Sequence, residues 1–278
     1  MTPDRIAARE LLAFYVEAGV DCPISETPVD RFAAADEPEA RLAPTETEAP
    51  PPQPSAGRPP LAGRPASVPA APETVVPPSA EQAVMAAREA ARGAASLDEL
   101  RTILDGFSGC ALKMTAKQLV FADGNPEARV MFVGEAPGRD EDLEGRPFVG
   151  RSGKLLDRMM AAIGLDRTSA YIANVIPWRP PGNRTPTPQE TQICLPFIRR
   201  QIELADPDVL VCLGGPSTQT LLGVTDGIMR TRGRWFTYQT GKREIRALAT
   251  LHPAYLLRQP LHKRLAWRDF LAIREALG

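Results

Sequence analysis

Apolar and polar positions come in short blocks along the C-terminal two thirds of the chain, and the spacing within the blocks switches between two periods. Runs rich in β-branched and apolar residues at 129–133, 170–175, 209–213, 235–238 and 245–251 predict strands. Between and after them, 152–163, 188–204, 217–222 and 266–277 space their apolar residues three and four apart, which predicts helices. Strands that are apolar almost throughout, separated by helices, predict a mostly parallel sheet covered on both faces. Ligands of such sheets bind beyond the carboxyl ends of the strands.

Upstream the pattern changes twice. Ser79 with Gln82, and Ser96 with Glu99, have the spacing of capping boxes and open helices running to about Gly93 and Asp105. At the start of the chain, Thr2 and Pro3 precede an amphipathic stretch with Ile6, Leu11, Leu12, Tyr15 and Val16 near one face, a short helix ending by about residue 20. Residues 28–78 hold 14 of the 29 prolines, with Ala and Glu between them and few aromatics. Such a segment buries too little apolar surface to offset its ordering entropy and is expected to be disordered. The organisation expected is thus a helix at 1–20, an acidic Pro/Ala-rich linker at 21–78 and a globular domain at 79–278. The helix is read either as a docking element for a protein partner or as one that folds back on the domain.

Charge divides the same way. Residues 1–100 hold 8 Lys/Arg against 16 Asp/Glu, and residues 101–278 hold 25 against 18, so nets of −8 and +7 make up the total of −1. A basic C-terminal domain suits a polyanionic partner, although ordinary surface solvation also produces such a balance. No apolar stretch approaches the roughly 20 residues needed to span a bilayer, and the first residues lack a signal pattern, so a soluble, cytoplasmic monomer is expected. Cys22, Cys110, Cys194 and Cys212 show no regular spacing and imply no disulfide framework.

Chemistry concentrates in three places, each following a predicted strand. The first is GEAPGRDEDLEGRPFVGRSG at 134–153, where small residues let backbone close around a ligand and Glu135, Asp140, Glu141 and Asp142 crowd carboxylates at a strand end. The others are YIANVIPWRPPGNR at 171–184 and LHPAYLLR at 251–258. In this order the three segments resemble the uracil-DNA glycosylase superfamily over roughly residues 105–278, and most closely its iron-sulfur branch, family 4. The resemblance implies a three-layer α/β/α sandwich on a central, mostly parallel four-stranded sheet. The activity it implies is hydrolysis of the N-glycosidic bond of deoxyuridine in DNA, with the base flipped out of the stack.

It also implies roles for particular residues. Phe148 corresponds to the aromatic that stacks on the flipped base; a Phe between Pro147 and Val149 would otherwise be read as core. Asn174 corresponds to the residue that reads the uracil edge, because an amide can accept from N3–H and donate to O4 while cytosine offers the opposite pattern. Tyr171 is read as packing. His252 corresponds to the histidine facing uracil O2, where a donor stabilises charge leaving with the base. Ala136 stands where the best-known branch has an Asp, a departure shared with family 4, so Glu135 and Glu141 are the candidates for orienting the attacking water; Asp140 and Asp142 are expected to cap or order the loop. Leu256, Leu257 and Arg258 fall in the loop that wedges into the duplex, and Arg179, Arg184, Arg232, Arg234 and Arg258 are candidate phosphate contacts. His262 is read as surface or phosphate-side.

Family 4 members carry a [4Fe–4S] cluster on four cysteines, whose positions correspond here to Phe107, Cys110, Trp178 and Cys194. Two thiols do not complete such a cluster, so no cofactor and no metal is expected, unless Cys22, Cys212 or another group supplies the missing ligands. The loop RPPGNRTPTP lacks the histidine through which one branch traps its product, which implies turnover. Two alternatives stay open: a non-catalytic DNA-binding paralogue, and a nucleotide-binding protein, the latter disfavoured by the acidity of GEAPGRDED.

Overall fold

The computed structural model describes residues 80–278. The expected N-terminal helix at 1–20 and the whole of the linker at 21–78 lie outside the described residues.

Two helices open the domain, α1 (Ala80–Gly93) and α2 (Leu97–Gly106), followed by a single turn, α3 (Leu112–Thr115). The capping reading at Ser96 holds: its hydroxyl accepts from Glu99 N at 3.2 Å while the Glu99 carboxylate accepts from Ala95 N at 2.7 Å. Next come β1 (Asp123–Gly124), β2 (Val130–Gly134), α4 (Arg139–Glu144), α5 (Arg151–Ala161) and β3 (Tyr171–Asn174). They are followed by α6 (Pro188–Ala205), β4 (Val209–Leu213), α7 (Gly215–Leu222), α8 (Ile228–Thr231), β5 (Trp235–Gln239), β6 (Glu244–Thr250), α9 (Pro253–Arg258) and α10 (Lys263–Leu277).

The sheet has six strands in the order β1-β3-β2-β4-β6-β5 rather than the four expected. Its centre is the parallel array β3, β2, β4, β6, and the additional strands β1 and β5 pair antiparallel on the two edges. Strand alternation sends successive side chains to opposite faces. Met131, Val133, Leu210, Cys212, Tyr171 and Ala173 enter one apolar cluster, while Val130, Phe132, Val209, Val211, Leu213 and Ile172 enter another. The first is covered by α1, α2 and α6, the second by α5 and α10, which makes the three layers. In α1 the stripe Ala83, Ala87, Ala91 is buried at a four-residue spacing, small enough to let the helix lie close against α6.

All four parallel strands run the same way, so their carboxyl ends share one edge of the sheet. Gly134 is paired with Asn174, and Leu213 with Thr250. That register sets the first two chemical segments side by side beyond β2 and β3, and the third at the same edge beyond β6, with β4 between.

Candidate active site

A cleft of about 560 Å³ opens at this edge, and its walls include Glu135, Ala136, Glu141, Phe148, Asn174 and His252. Gly134 ends β2 beneath it. A Cβ there would lie 2.5 Å from Asn174 Oδ1 and 2.6 Å from the tip of the Phe148 ring, so glycine is what lets the amide and the aromatic meet over the strand end.

Asn174 is 5% exposed and its Oδ1 has no hydrogen-bond partner. The same is true of Oε1 of Glu135, and burial pushes that carboxyl above the usual carboxylate range. Buried polar atoms are normally paired, and leaving one unpaired costs ~1–3 kcal/mol. Two orphaned oxygens in one cleft mark it as shaped for a ligand that supplies donors.

Glu141 behaves differently from Glu135. Its Oε1 accepts from Val149 N and Gly150 N, and its Oε2 from Gly138 N, all at 3.0 Å. Both oxygens are held by backbone, so this carboxylate ties the two ends of the loop together. Asp142 has a related task, accepting from Lys117 N at 2.8 Å.

His252 ends the segment after β6 and is the N-cap of α9. Pro253 occupies the first helical position and has no N–H, so the first free donor of the helix is Ala254 N, which donates to His252 Nδ1 at 3.1 Å. An accepting Nδ1 carries no proton, which leaves the hydrogen on Nε2. Burial, with a smaller contribution from the Arg258 cation, lowers the imidazole pKa to about 4, so the ring is neutral near pH 7 and Nε2–H is a donor without charge. Phe148 lies against it with ring centroids 5.5 Å apart.

The remaining sequence candidates separate into those at the cleft and those engaged elsewhere. Arg184 and Arg258 line the cleft; Arg184 forks onto Glu190 at 2.7 and 2.8 Å, and Arg179 donates to Asn183 Oδ1 at 2.7 Å. Leu257 is 37% exposed, but Leu256 is fully buried against Leu251 and Ala266, so of this pair Leu257 alone faces outward. Adjacent residues on a single helical turn point about 100° apart, and the apolar cluster under α9 takes one of them. Arg232, read as a phosphate contact, is instead paired with the buried Asp269, which also accepts from Thr250 Oγ1 at 2.7 Å. Arg234 is exposed and lies over the Phe236 ring. Tyr171 packs inside, its hydroxyl accepting from Gln201 Nε2 at 3.1 Å. His262 Nδ1 is 2.7 Å from the Tyr255 hydroxyl.

Sequence reasoning passed over Arg167, whose guanidinium donates to the carbonyls of both Pro147 and Phe148, and Gly153, where a Cβ would sit 1.7 Å from the Phe148 carbonyl oxygen. The glycine five residues beyond Phe148 was the available signal for a close backbone approach; Arg167 offered none.

The positions of an iron-sulfur cluster do not fit one here. Cys110 and Cys194 are fully buried, and Cys194 Sγ–H donates to Cys110 Sγ at 4.0 Å, which lowers the Cys110 pKa and raises that of Cys194. Phe107 stands edge-on to Phe197 at 5.0 Å, and Trp178 is 1% exposed in the same apolar cluster. At the two positions that the resemblance assigns to further ligands the side chains are thus aromatic, and neither supplies the thiolate a cubane needs. Cys212 sits within β4, fully buried, its pKa raised to about 12 by burial. Among the described residues no group of three or more His, Cys, Asp or Glu is placed to hold a metal ion.

Residues 121–271 match the family model described as the uracil DNA glycosylase superfamily. Three similar proteins bear the name type-4 uracil-DNA glycosylase. That of Archaeoglobus fulgidus is 41% identical over 187 residues, 66% of this chain and 94% of the relative. That of Sulfurisphaera tokodaii is 38% identical over 65% of this chain and 84% of the relative, and that of Thermotoga maritima 43% over 54% and 78%. With a match that spans more than half of the sequence and includes all three segments of the cleft, the chain belongs to the uracil-DNA glycosylase superfamily.

Proposed function

We propose that this protein removes uracil from DNA, hydrolysing the bond between C1′ of the deoxyribose and N1 of the base and leaving an abasic site. The observation that carries the reading is the pairing of needs in the cleft: two buried oxygens without donors, on Asn174 and Glu135, beside a neutral imidazole N–H. Uracil supplies a donor at N3 and acceptors at O2 and O4, and water supplies the donor for Glu135.

In this reading the nucleotide leaves the duplex and its base enters against Phe148. Asn174 Oδ1 accepts from N3–H and its amide N–H₂ donates to O4; cytosine, with an acceptor at N3 and a donor at N4, meets the wrong partner at both atoms. As C1′–N1 breaks, the electron pair leaves with the base and negative charge grows on O2. His252 Nε2–H is the donor for that charge, and being neutral it strengthens its hydrogen bond in the transition state rather than binding an anion beforehand. Glu135 orients the water whose oxygen bonds to C1′ and accepts the proton that water gives up, and its negative charge favours the oxocarbenium-like sugar. Leu257, with Arg184 and Arg258 at the cleft and Arg179 beside Asn183, holds the opened duplex.

The chemistry requires no cluster, and the dithiol and the two aromatics act as packing. Residues 79–278 form the catalytic unit, with 1–78 outside the reaction. Incubation of purified protein with a uracil-containing oligonucleotide, followed by alkali and gel separation, tests the proposal: strand scission at the uracil is expected, with none for the matching cytosine or thymine oligonucleotide. Binding of the uracil strand without scission would establish the non-catalytic alternative.

A further inference from the structure

Phe148 is in the left-handed region of backbone space, at φ 55°, where a bulky residue does not settle unaided. Its surroundings show what holds it. The carbonyl of Phe148 accepts from Arg167 Nη2, and the neighbouring carbonyl of Pro147 accepts from Arg167 Nη1 at 3.1 Å. The N–H of Val149 belongs to the same peptide group as the Phe148 carbonyl, and it donates to Glu141 Oε1 at 3.0 Å. One peptide plane is thus gripped at its oxygen by a cation and at its hydrogen by an anion.

The cation is itself aimed. Arg167 Nε donates to Asp157 at 2.9 Å and Nη1 also donates to Asp123, so carboxylates from α5 and β1 set the plane of the guanidinium. Its side chain is 24% exposed and does not line the cleft, so it has no route to the base except through Phe148. Gly153 completes the arrangement by letting α5 come up against the Phe148 carbonyl. A planar fork that reaches two successive carbonyls while pairing with two acids is a task for arginine, since lysine presents a single nitrogen.

We propose that Arg167 is a positioning residue for base excision, clamping the Phe148–Val149 peptide together with Glu141 so that the Phe148 ring stays poised to receive the flipped base. This rests on Phe148 being the stacking surface. The test is a cycle of single-turnover excision rates on single-stranded uracil DNA for the full chain, Phe148→Ala, Arg167→Ala, Arg167→Lys and Phe148→Ala with Arg167→Ala, with thermal melting of each. Loss of base stacking is expected to slow Phe148→Ala roughly 10- to 100-fold. Arg167→Ala should slow the reaction by a comparable factor, Arg167→Lys should recover part of it, and in the Phe148→Ala background the loss of Arg167 should add less than about threefold, because both substitutions remove the same contribution.

Rates within about twofold of wild type for folded Arg167→Ala, or losses that multiply in the double variant, would overturn the inference. If Arg167→Ala does not fold, Arg167→Lys runs through the same cycle with the same criteria. A wild-type rate for Phe148→Ala would remove the stacking reading itself. A slow Phe148→Ala beside an unaffected Arg167 variant would remove only the clamp.

Discussion

Acidification separates a neutral His252 from an ordinary histidine. With a folded pKa of about 4 against 6.5 for the free side chain, the native ring takes up its proton some 2.5 pH units later than the unfolded one. Above pH 6.5 neither state is protonated and the group contributes no pH dependence. Between 6.5 and 4 the unfolded chain binds the proton and the folded chain does not, so stability falls as pH falls, by ~2.5 kcal/mol on reaching pH 4.5. Glu135, raised by burial, has the opposite sign: its folded carboxyl holds a proton the unfolded one has released, so its effect grows as pH rises. Comparing wild type with His252→Asn isolates the imidazole. Urea unfolding of both at pH 7.5, 6.5, 5.5 and 4.5 should show wild type losing ~2.5 kcal/mol more than the variant across the series. Imidazole NMR should place the titration near 4 and find the proton on Nε2. In parallel, His252→Ala should excise uracil roughly 10²–10³ times more slowly at pH 7.5, the size of one lost oxyanion donor. A ring that titrates near 6.5, or acid losses that run in parallel in the two proteins, would refute the neutral donor.

Further outcomes are specific to single residues. Asn174→Asp should lose most of its preference for uracil over cytosine in competition assays, because an ionised carboxylate cannot donate to O4; unchanged discrimination would take Asn174 out of base reading. Glu135→Gln should slow excision by about 10²-fold and remove the acid limb of the pH–rate profile, and a rate near wild type would shift water positioning elsewhere. Replacing Cys110 and Cys194 together by Ala should cost ~1–3 kcal/mol in unfolding free energy while excision persists; stoichiometric iron and sulfide in anaerobically purified wild type would show instead that a cluster forms. Deleting residues 1–78 should leave the single-turnover rate unchanged and raise affinity for DNA at low salt, as that segment holds 6 Lys/Arg against 12 Asp/Glu, a net of −6; a folded but inactive truncation would place part of the site in that segment.

The central strands could be read from sequence because they are buried on both faces and therefore apolar at every position, as VMFVG and VLVCL show. α6 was legible from the spacing of its apolar residues over 188–204, and its start carries the local signals Thr187, Pro188 and Glu190 that need no tertiary context. β1 was not: two residues, Asp123 and Gly124, carry turn chemistry and become a strand by pairing with β3. Leu256 and Leu257 were indistinguishable as letters, and only the apolar cluster beneath α9 decides between them. The charged residues divide on the same principle. Glu141, Arg167 and Arg232 have partners far away in sequence or on the backbone, so nothing in their neighbourhood announces that they hold structure rather than meet DNA.

Because the His252 imidazole caps α9, its ring is tied by a hydrogen bond to the helix that carries Leu257 and Arg258. In the proposed reading, a duplex pressing on the outward face of that helix presses, through Ala254, on the bond that keeps the proton on Nε2. Under the proposed function, grip on the strand and readiness of the proton donor are then not two events to be timed but one mechanical state, and a substitution that loosened the helix is expected to be felt at the breaking bond without touching the base.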